Sequence, residues 1–354
     1  MLISLSAPGA QDETNLRRIP AFASSPEVIR AQIQSDVLSA IEKNKSSKTY
    51  GEYNTSGYTP KDVFSNVREL RDPNSWAALC QALDALPPEQ LSFFEGEISQ
   101  PANEGQLTCA AGLRAKLTKF WQESAIRLRQ HLGQSIQKLK PGQTKVHAVE
   151  CKISIADSPT VTQSQLKDYQ VAFIFNDGPD PSRTPRVLDT LKSTGVRATF
   201  FHVGDKMRAH PEIDHRLVAE KHTLGTQTFG HVDLSRLDLK RAEKQIAQGR
   251  DEAEAASGVD APFFRPPYGL LNSEVKDILK KKRMPIFQWN TDSLDWKLHD
   301  EVALYDHILQ TIKKDKGGII AFHETEEASL AVLRPLIDEL KTKGYTFVVF
   351  VPCN

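Results

Sequence analysis

No stretch of this chain approaches the ~20 consecutive apolar residues that a membrane-spanning helix needs, so the sequence reads without a transmembrane segment. Net charge is missing too. Lys and Arg total 45 and Asp and Glu total 45, which leaves no overall positive field to recruit nucleic acid or an anionic membrane. Cysteine is sparse: Cys80, Cys109, Cys151 and Cys353 lie far apart, with no CxxC pair or metal-like spacing. There is no internal repeat and no low-complexity tract. The opening MLISLSAPGA is too short for a signal h-region and lacks a basic start.

What is present suits a folded protein with an ample core. The chain has 354 residues, 39% hydrophobic and 25% charged, enough for one large domain and a smaller one. Before residue 145 the apolar residues follow a helical period. Val28/Ile29, Ile33, Val37 and Ile41 form one stripe, and Trp76, Leu79/Cys80 and Leu83 a second, ended by Pro87-Pro88. Leu113, Leu117, Phe120/Trp121, Leu128 and Leu132 form a third. Polar loops are expected at 44–58 and 100–106. No catalytic constellation stands out in this half, and Trp76 and Trp121 read as core aromatics. Lys145 to Ile155 alternates like a strand.

After residue 170 the pattern changes. Strands are expected at 171–175, 198–203, 223–226, 263–265, 285–289, 317–322 and 346–350, and helices at 183–194, 211–220, 237–257, 272–282, 301–313 and 327–342. Such alternation specifies α/β structure, a parallel sheet with helices outside. The run VAFIFNDGP at 171–179 is the most informative segment. It reads as a buried strand that stops at a polar turn, and in parallel α/β folds the residues past a strand's C-terminal end line the ligand mouth.

From Asp177 onward the motifs form a series: DGPDPSRTPRVLDTLKSTGVRATFFHVGDKM, HPEI, AEKHTLGTQTFGH, FFRPPYG, DSLDW and IIAFH. In order and spacing this series resembles the polysaccharide deacetylases of carbohydrate esterase family four, the NodB-homology fold. The resemblance covers roughly the last 190 residues. It implies a distorted (β/α) barrel over 146–354, preceded by a mainly helical accessory domain over 1–145. It also implies a metal-dependent hydrolase that removes N-acetyl groups from a polymeric glycan such as peptidoglycan or chitin, and a divalent ion, zinc by preference. No nucleic acid or obligate protein partner is implied.

Residue by residue, the resemblance places the metal at Asp177 and His231, with Gln227 where the family has its other histidine. Asn176 stands where the family has its base aspartate. A neutral amide cannot take a proton as a carboxylate does, and an amide oxygen is a poorer zinc ligand than imidazole. Asp180, Asp292 and Asp295 are candidate substitute bases, and His222 is a candidate ligand that reads better as structural. Arg265 resembles the arginine that pairs with the base. Tyr268, after Pro267, matches the residue whose backbone amide faces the oxyanion, and Trp296 resembles the wall of the acetyl pocket. His323 matches the general acid, with an aspartate of DSLDW orienting its ring. Ala321 stands where the family usually has leucine. His202, His210, His215, His299 and His307 read as surface, supporting or capping residues.

The likeness to enzymes of sugar polymers also implies a secreted or periplasmic, oxidised chain with two disulfides. Of three pairings, Cys80–Cys109 with Cys151–Cys353 keeps each bridge within one domain. Two functions follow: an N-acetylglycan deacetylase with an altered base, or a catalytically silent glycan-binding protein on the same fold.

Overall fold

The computed structural model describes residues 26–47, 59–70, 73–99, 107–136 and 149–354. Of the polar loop expected at 44–58, residues 44–46 instead continue the first helix, and 48–58, like the loop expected at 100–106 and the start of the expected strand at 145–148, lie outside the described residues.

Six helices come first: α1 (Pro26–Ser46), α2 (Pro60–Leu70), α3 (Pro73–Asp84), α4 (Pro88–Ser92), α5 (Glu95–Ile98) and α6 (Ala110–Ile136). Four of them open on proline, whose fixed φ and missing N–H suit the first helical position. Of these, α2 and α4 have no counterpart in the sequence reading, and neither has α5. The apolar face of α2 is only four residues, the buried Val63, Phe64 and Val67 and the partly buried Leu70, within a charged stretch. The helices bury one core that includes Ile33, Phe64, Leu79, Leu83, Phe94 and Leu113. The Cys80–Cys109 disulfide ties α3 to the start of α6, as expected. Replacing both cysteines with serine should lower stability by about 2–4 kcal/mol, through loss of a loop constraint on the unfolded chain. Urea unfolding of the two proteins measures it.

The remaining chain alternates: β1 (Val149–Ser154), β2 (Thr160–Val161), β3 (Gln170–Gly178), α7 (Thr184–Thr194), β4 (Thr199–His202), α8 (Gly204–Ala209), α9 (Pro211–Ala219), β5 (Thr223–Thr226), α10 (Leu239–Ser257), β6 (Phe263–Phe264), α11 (Ser273–Lys281), β7 (Ile286–Phe287), β8 (Thr291–Asp292), α12 (Glu301–Asp315), β9 (Gly318–His323), α13 (Glu327–Thr342) and β10 (Thr346–Cys353). Every pairing among the described strands is parallel. The sheet runs β1-β10-β3-β4-β5-β6-β7-β2, with β9 joining β3 to β8. The result is an α/β barrel of short strands. Asp238, Asn272 and Asp300 cap α10, α11 and α12 with their side chains.

Side-chain alternation explains how the site is aimed. On β3, Ala172 and Ile174 enter the barrel interior with Phe201, Phe263 and Phe287. Phe173 and Phe175 face outward, onto the helices. Period two therefore turns Asn176 inward. On β9, Ile319 and Ala321 are interior and Ile320 and Phe322 exterior, so His323 is interior as well. Asn176 and His323 are register partners.

The second disulfide does not form: Cys151 and Cys353 are free. On the parallel pair β1–β10, Cys151 sits opposite Phe350 and Cys353 opposite Ser154. The two cysteines are thus three register steps apart, about 10 Å of strand, beyond the ~7 Å Cα limit for a bridge. Among the described residues no helix is long and apolar enough to cross a membrane.

Candidate active site

The strand ends bring Asn176, Asp177, Gln227, Arg265 and His323 to one mouth of the barrel. Asn176 is fully buried, and its Nδ2 donates to the Phe322 carbonyl at 2.7 Å. Asp177 follows with φ of 68°, in the left-handed region. Its N–H donates to Gln227 Oε1 at 3.1 Å, and its carbonyl accepts from Lys206 Nζ at 2.6 Å. Asp177 Oδ1 stands 3.1 Å from His231 Nε2. Tyr268 locks that histidine from behind: its hydroxyl donates to the His231 carbonyl at 3.1 Å, and the two rings meet edge-on at 4.8 Å. A Cβ at Gly178 would lie 1.9 Å from Glu324 Oε1, so any larger residue there requires the Glu324 side chain to shift.

Across the mouth, His323 Nδ1 lies 2.7 Å from Asp295 Oδ1, and the His323 N–H donates to Asp295 Oδ2 at 2.6 Å. The Ser329 hydroxyl and the Trp296 N–H also donate to Asp295. A carboxylate surrounded by donors holds its charge, and it fixes the proton of His323 on Nδ1, turning Nε2 to the mouth. Burial opposes charge on His323, but the Asp295 carboxylate outweighs it and raises the imidazole to about 9. The same pairing lowers Asp295 against its own burial. Arg265 is buried, with its guanidinium 4.3 Å from the centre of the Trp289 ring.

The candidate substitute bases are engaged elsewhere. Asp180 accepts from the Ser182 and Arg183 N–H groups and pairs with the Arg183 guanidinium. Asp292 Oδ1 accepts from the Leu294 N–H, and Asp295 is the partner of His323. His222 is structural, as its reading favoured. Its Nδ1 accepts from the Ala198 N–H at 3.1 Å, and burial pushes it down to about 4. Trp296 and Pro267 are both buried. His307 Nε2 lies 3.0 Å from the Asp292 carbonyl.

His299 corrects the sequence reading, and His202 takes the supporting place rather than the surface one. His299 is not solvated: it is buried against Phe93 and held down at about 4 by burial. His202 is fully buried on the helix side of the sheet, with Nδ1 2.5 Å from Asp214 and Nε2 2.7 Å from Glu324. Burial works against its charge, yet the two carboxylates hold it up at about 10. This Asp214–His202–Glu324 line packs Glu324 against Gly178, behind Asp177. No sequence signal marks it, since the three residues lie on separate elements with no motif spacing.

As a metal site the donor set fits in kind and is weak in strength. Asp177 and His231 present a carboxylate and an imidazole on one side of the mouth. Gln227 adds an amide oxygen, one of whose two acceptor positions the Asp177 N–H occupies. Among the described residues no three His, Cys, Asp or Glu side chains assemble around one point.

A family model described as polysaccharide deacetylase matches residues 163–287. A peptidoglycan-N-acetylglucosamine deacetylase of Bacillus cereus is 34% identical over 184 residues, 51% of this chain and 66% of the relative. A second such protein from Bacillus cereus is 31% identical over 184 residues, 50% of this chain and 84% of the relative. The peptidoglycan-N-acetylmuramic acid deacetylase PdaC of Bacillus subtilis is 32% identical, with 55% of this chain against 40% of the relative. The chain thus spans from 40% to 84% of the lengths of these three relatives. Among solved structures, the Bdellovibrio bacteriovorus peptidoglycan deacetylase Bd3279 superposes with a TM-score of 0.80 at 25% identity, covering 92% of this chain and 96% of that one. Members of this group are generally metal-dependent. The chain belongs to the polysaccharide deacetylase family.

Proposed function

We propose that the chain removes N-acetyl groups from a cell-wall-type glycan, peptidoglycan or a chitin-like polymer, outside the cytoplasm, with a divalent ion, zinc by preference. The observation that carries this reading is the buried His323–Asp295 pair, supported by Ser329 and placed beside Asn176. A pure binder has no use for a fixed proton donor at that point.

Asp177 and His231 would hold the ion, with the remaining lone pair of Gln227 as a weak third donor. A bound divalent ion lowers the pKa of a water and polarises the acetyl carbonyl. The other roles fall to the chain's own side chains. Asn176 orients the amide or water but takes no proton. The Tyr268 backbone N–H faces the developing oxyanion, Trp296 and Pro267 shape the acetyl pocket, and Arg265 supplies fixed positive charge. His323 Nε2 protonates the departing amine as the C–N bond breaks. Residues 1–145 are the accessory unit, which would shape the substrate groove, place the barrel on a polymer or aid folding on export.

Acetate release should fall as pH rises through about 9, where His323 loses the proton it must donate. The sign for stability is the same: a raised histidine stabilises fully below its ordinary 6.5, and that contribution is lost through about 9. A pH–rate profile on N-acetylglucosamine oligomers checks this, and a rate still climbing at pH 10 contradicts it.

A second reading, a catalytically silent glycan-binding protein, is favoured by one observation. Asn176 donates to the Phe322 carbonyl, a bond that an ionised carboxylate cannot make. The strand ends have settled around an amide where the family places its base.

A further inference from the structure

Arg183 sits at the junction of three chain segments. It is 8% exposed and faces three carboxylates: Glu95 Oε1 at 3.2 Å, Asp180 Oδ2 at 3.3 Å and Glu327 Oε2 at 3.5 Å. Asp180 lies three residues beyond Asp177, in the turn that leaves β3. Glu327 opens α13, four residues beyond His323. Glu95 belongs to α5 of the N-terminal helices, and its other oxygen accepts from Trp121 Nε1 of α6 at 3.0 Å. Arg186 adds a two-pronged contact to Glu327, at 2.7 and 2.9 Å. One guanidinium therefore joins the metal-side turn, the acid-side loop and the accessory helices. A surface ion pair contributes little. A buried fork among three carboxylates is different, because removing it leaves uncompensated charges that must separate.

We propose that Arg183 is a positioning residue, through which the N-terminal helices hold the loop that leaves β9 after His323 against the turn that leaves β3 after Asp177. The idea rests on the deacetylase reading for its kinetic consequence only. Other contacts place the same helices beside the acid-side loops. Phe93 packs edge-on against His299, and the Lys297 ammonium donates to the Ser47 carbonyl. The separation between the two halves of the site decides whether the acid reaches the departing nitrogen, and a misplacement of about 1 Å can cost ~10²-fold in rate.

The test uses the full chain with Arg183→Met, Arg183→Lys and Glu95→Gln. Hydrogen–deuterium exchange without substrate should quicken in peptides covering 178–183 and 323–328 in Arg183→Met, and less so in Glu95→Gln. On soluble N-acetylglucosamine oligomers kcat should fall by about tenfold or more with KM within about twofold. Arg183→Lys should restore part of the loss by keeping the charge without the fork. Folded Arg183→Met or Glu95→Gln with unchanged exchange in both segments overturns the proposal; if Arg183→Met does not fold, Glu95→Gln decides alone. Absence of acetate from wild type would sink the deacetylase reading, and the exchange data would still decide on Arg183.

Discussion

His323→Ala should lower acetate release by ~10²–10⁴-fold, the range a positioned general acid contributes, and should leave oligosaccharide affinity nearly intact. Its imidazole is fixed by Asp295 through one oxygen and by its own N–H through the other, so the proton is already aimed before substrate arrives. The amine leaving an amide is a poor leaving group until protonated, and the Asp295 carboxylate holds His323 as an acid near neutral pH. An interaction made mainly in the transition state lowers kcat and kcat/KM together. Acetate assays alongside binding measurements check this. Equal loss of binding and rate would instead make His323 a substrate contact.

The second large effect runs the other way. Restoring the family's groups, Asn176→Asp with Gln227→His, should raise acetate release by ~10² or more, the size of a general-base contribution. The paired change should exceed either single change, because ligand and base act on the same water. Gln227→His replaces an amide oxygen already shared with the Asp177 N–H by an imidazole, the better zinc ligand, and bound zinc measured on purified protein should rise with it. Asn176→Asp alone carries a cost. The Phe322 carbonyl loses its donor, which for a buried acceptor is about 1–3 kcal/mol, so the single variant should melt earlier. A rate unchanged in the paired variant, with zinc bound, would show that another group already activates the water.

Much of the barrel was legible because its signals are local. The run 171–175 is apolar on both faces, as a strand buried on both sides must be, and the observed strand spans Gln170–Gly178. Helices capped by Asp238, Asn272 and Asp300 start within two residues of their expected positions. The inward aim of Asn176 and His323 follows from period-two alternation once the strands are placed. What was not legible is long-range. Asp295 rather than Asp292 orients His323, a choice between two aspartates three residues apart that only the turn after β8 makes. Asp180 is taken up by the Arg183 guanidinium, a pairing that the turn after β3 makes. Cys151 and Cys353 lie on neighbouring strands, yet register keeps them apart. Short α2 carries its helical period in only four residues, Val63, Phe64, Val67 and Leu70, among charged neighbours, and the buried His202 line has no motif spacing to read.

The most direct test of the enzyme reading is acetate release from N-acetylglucosamine oligomers and peptidoglycan by the unaltered chain, with and without a chelator, beside His323→Ala. The expected result is measurable acetate that falls on chelation, recovers with zinc, and drops ~10²–10⁴-fold in His323→Ala. No acetate from any N-acetylated polymer, with glycan binding that survives the chelator, would contradict it and leave the silent glycan-binding protein as the reading that stands.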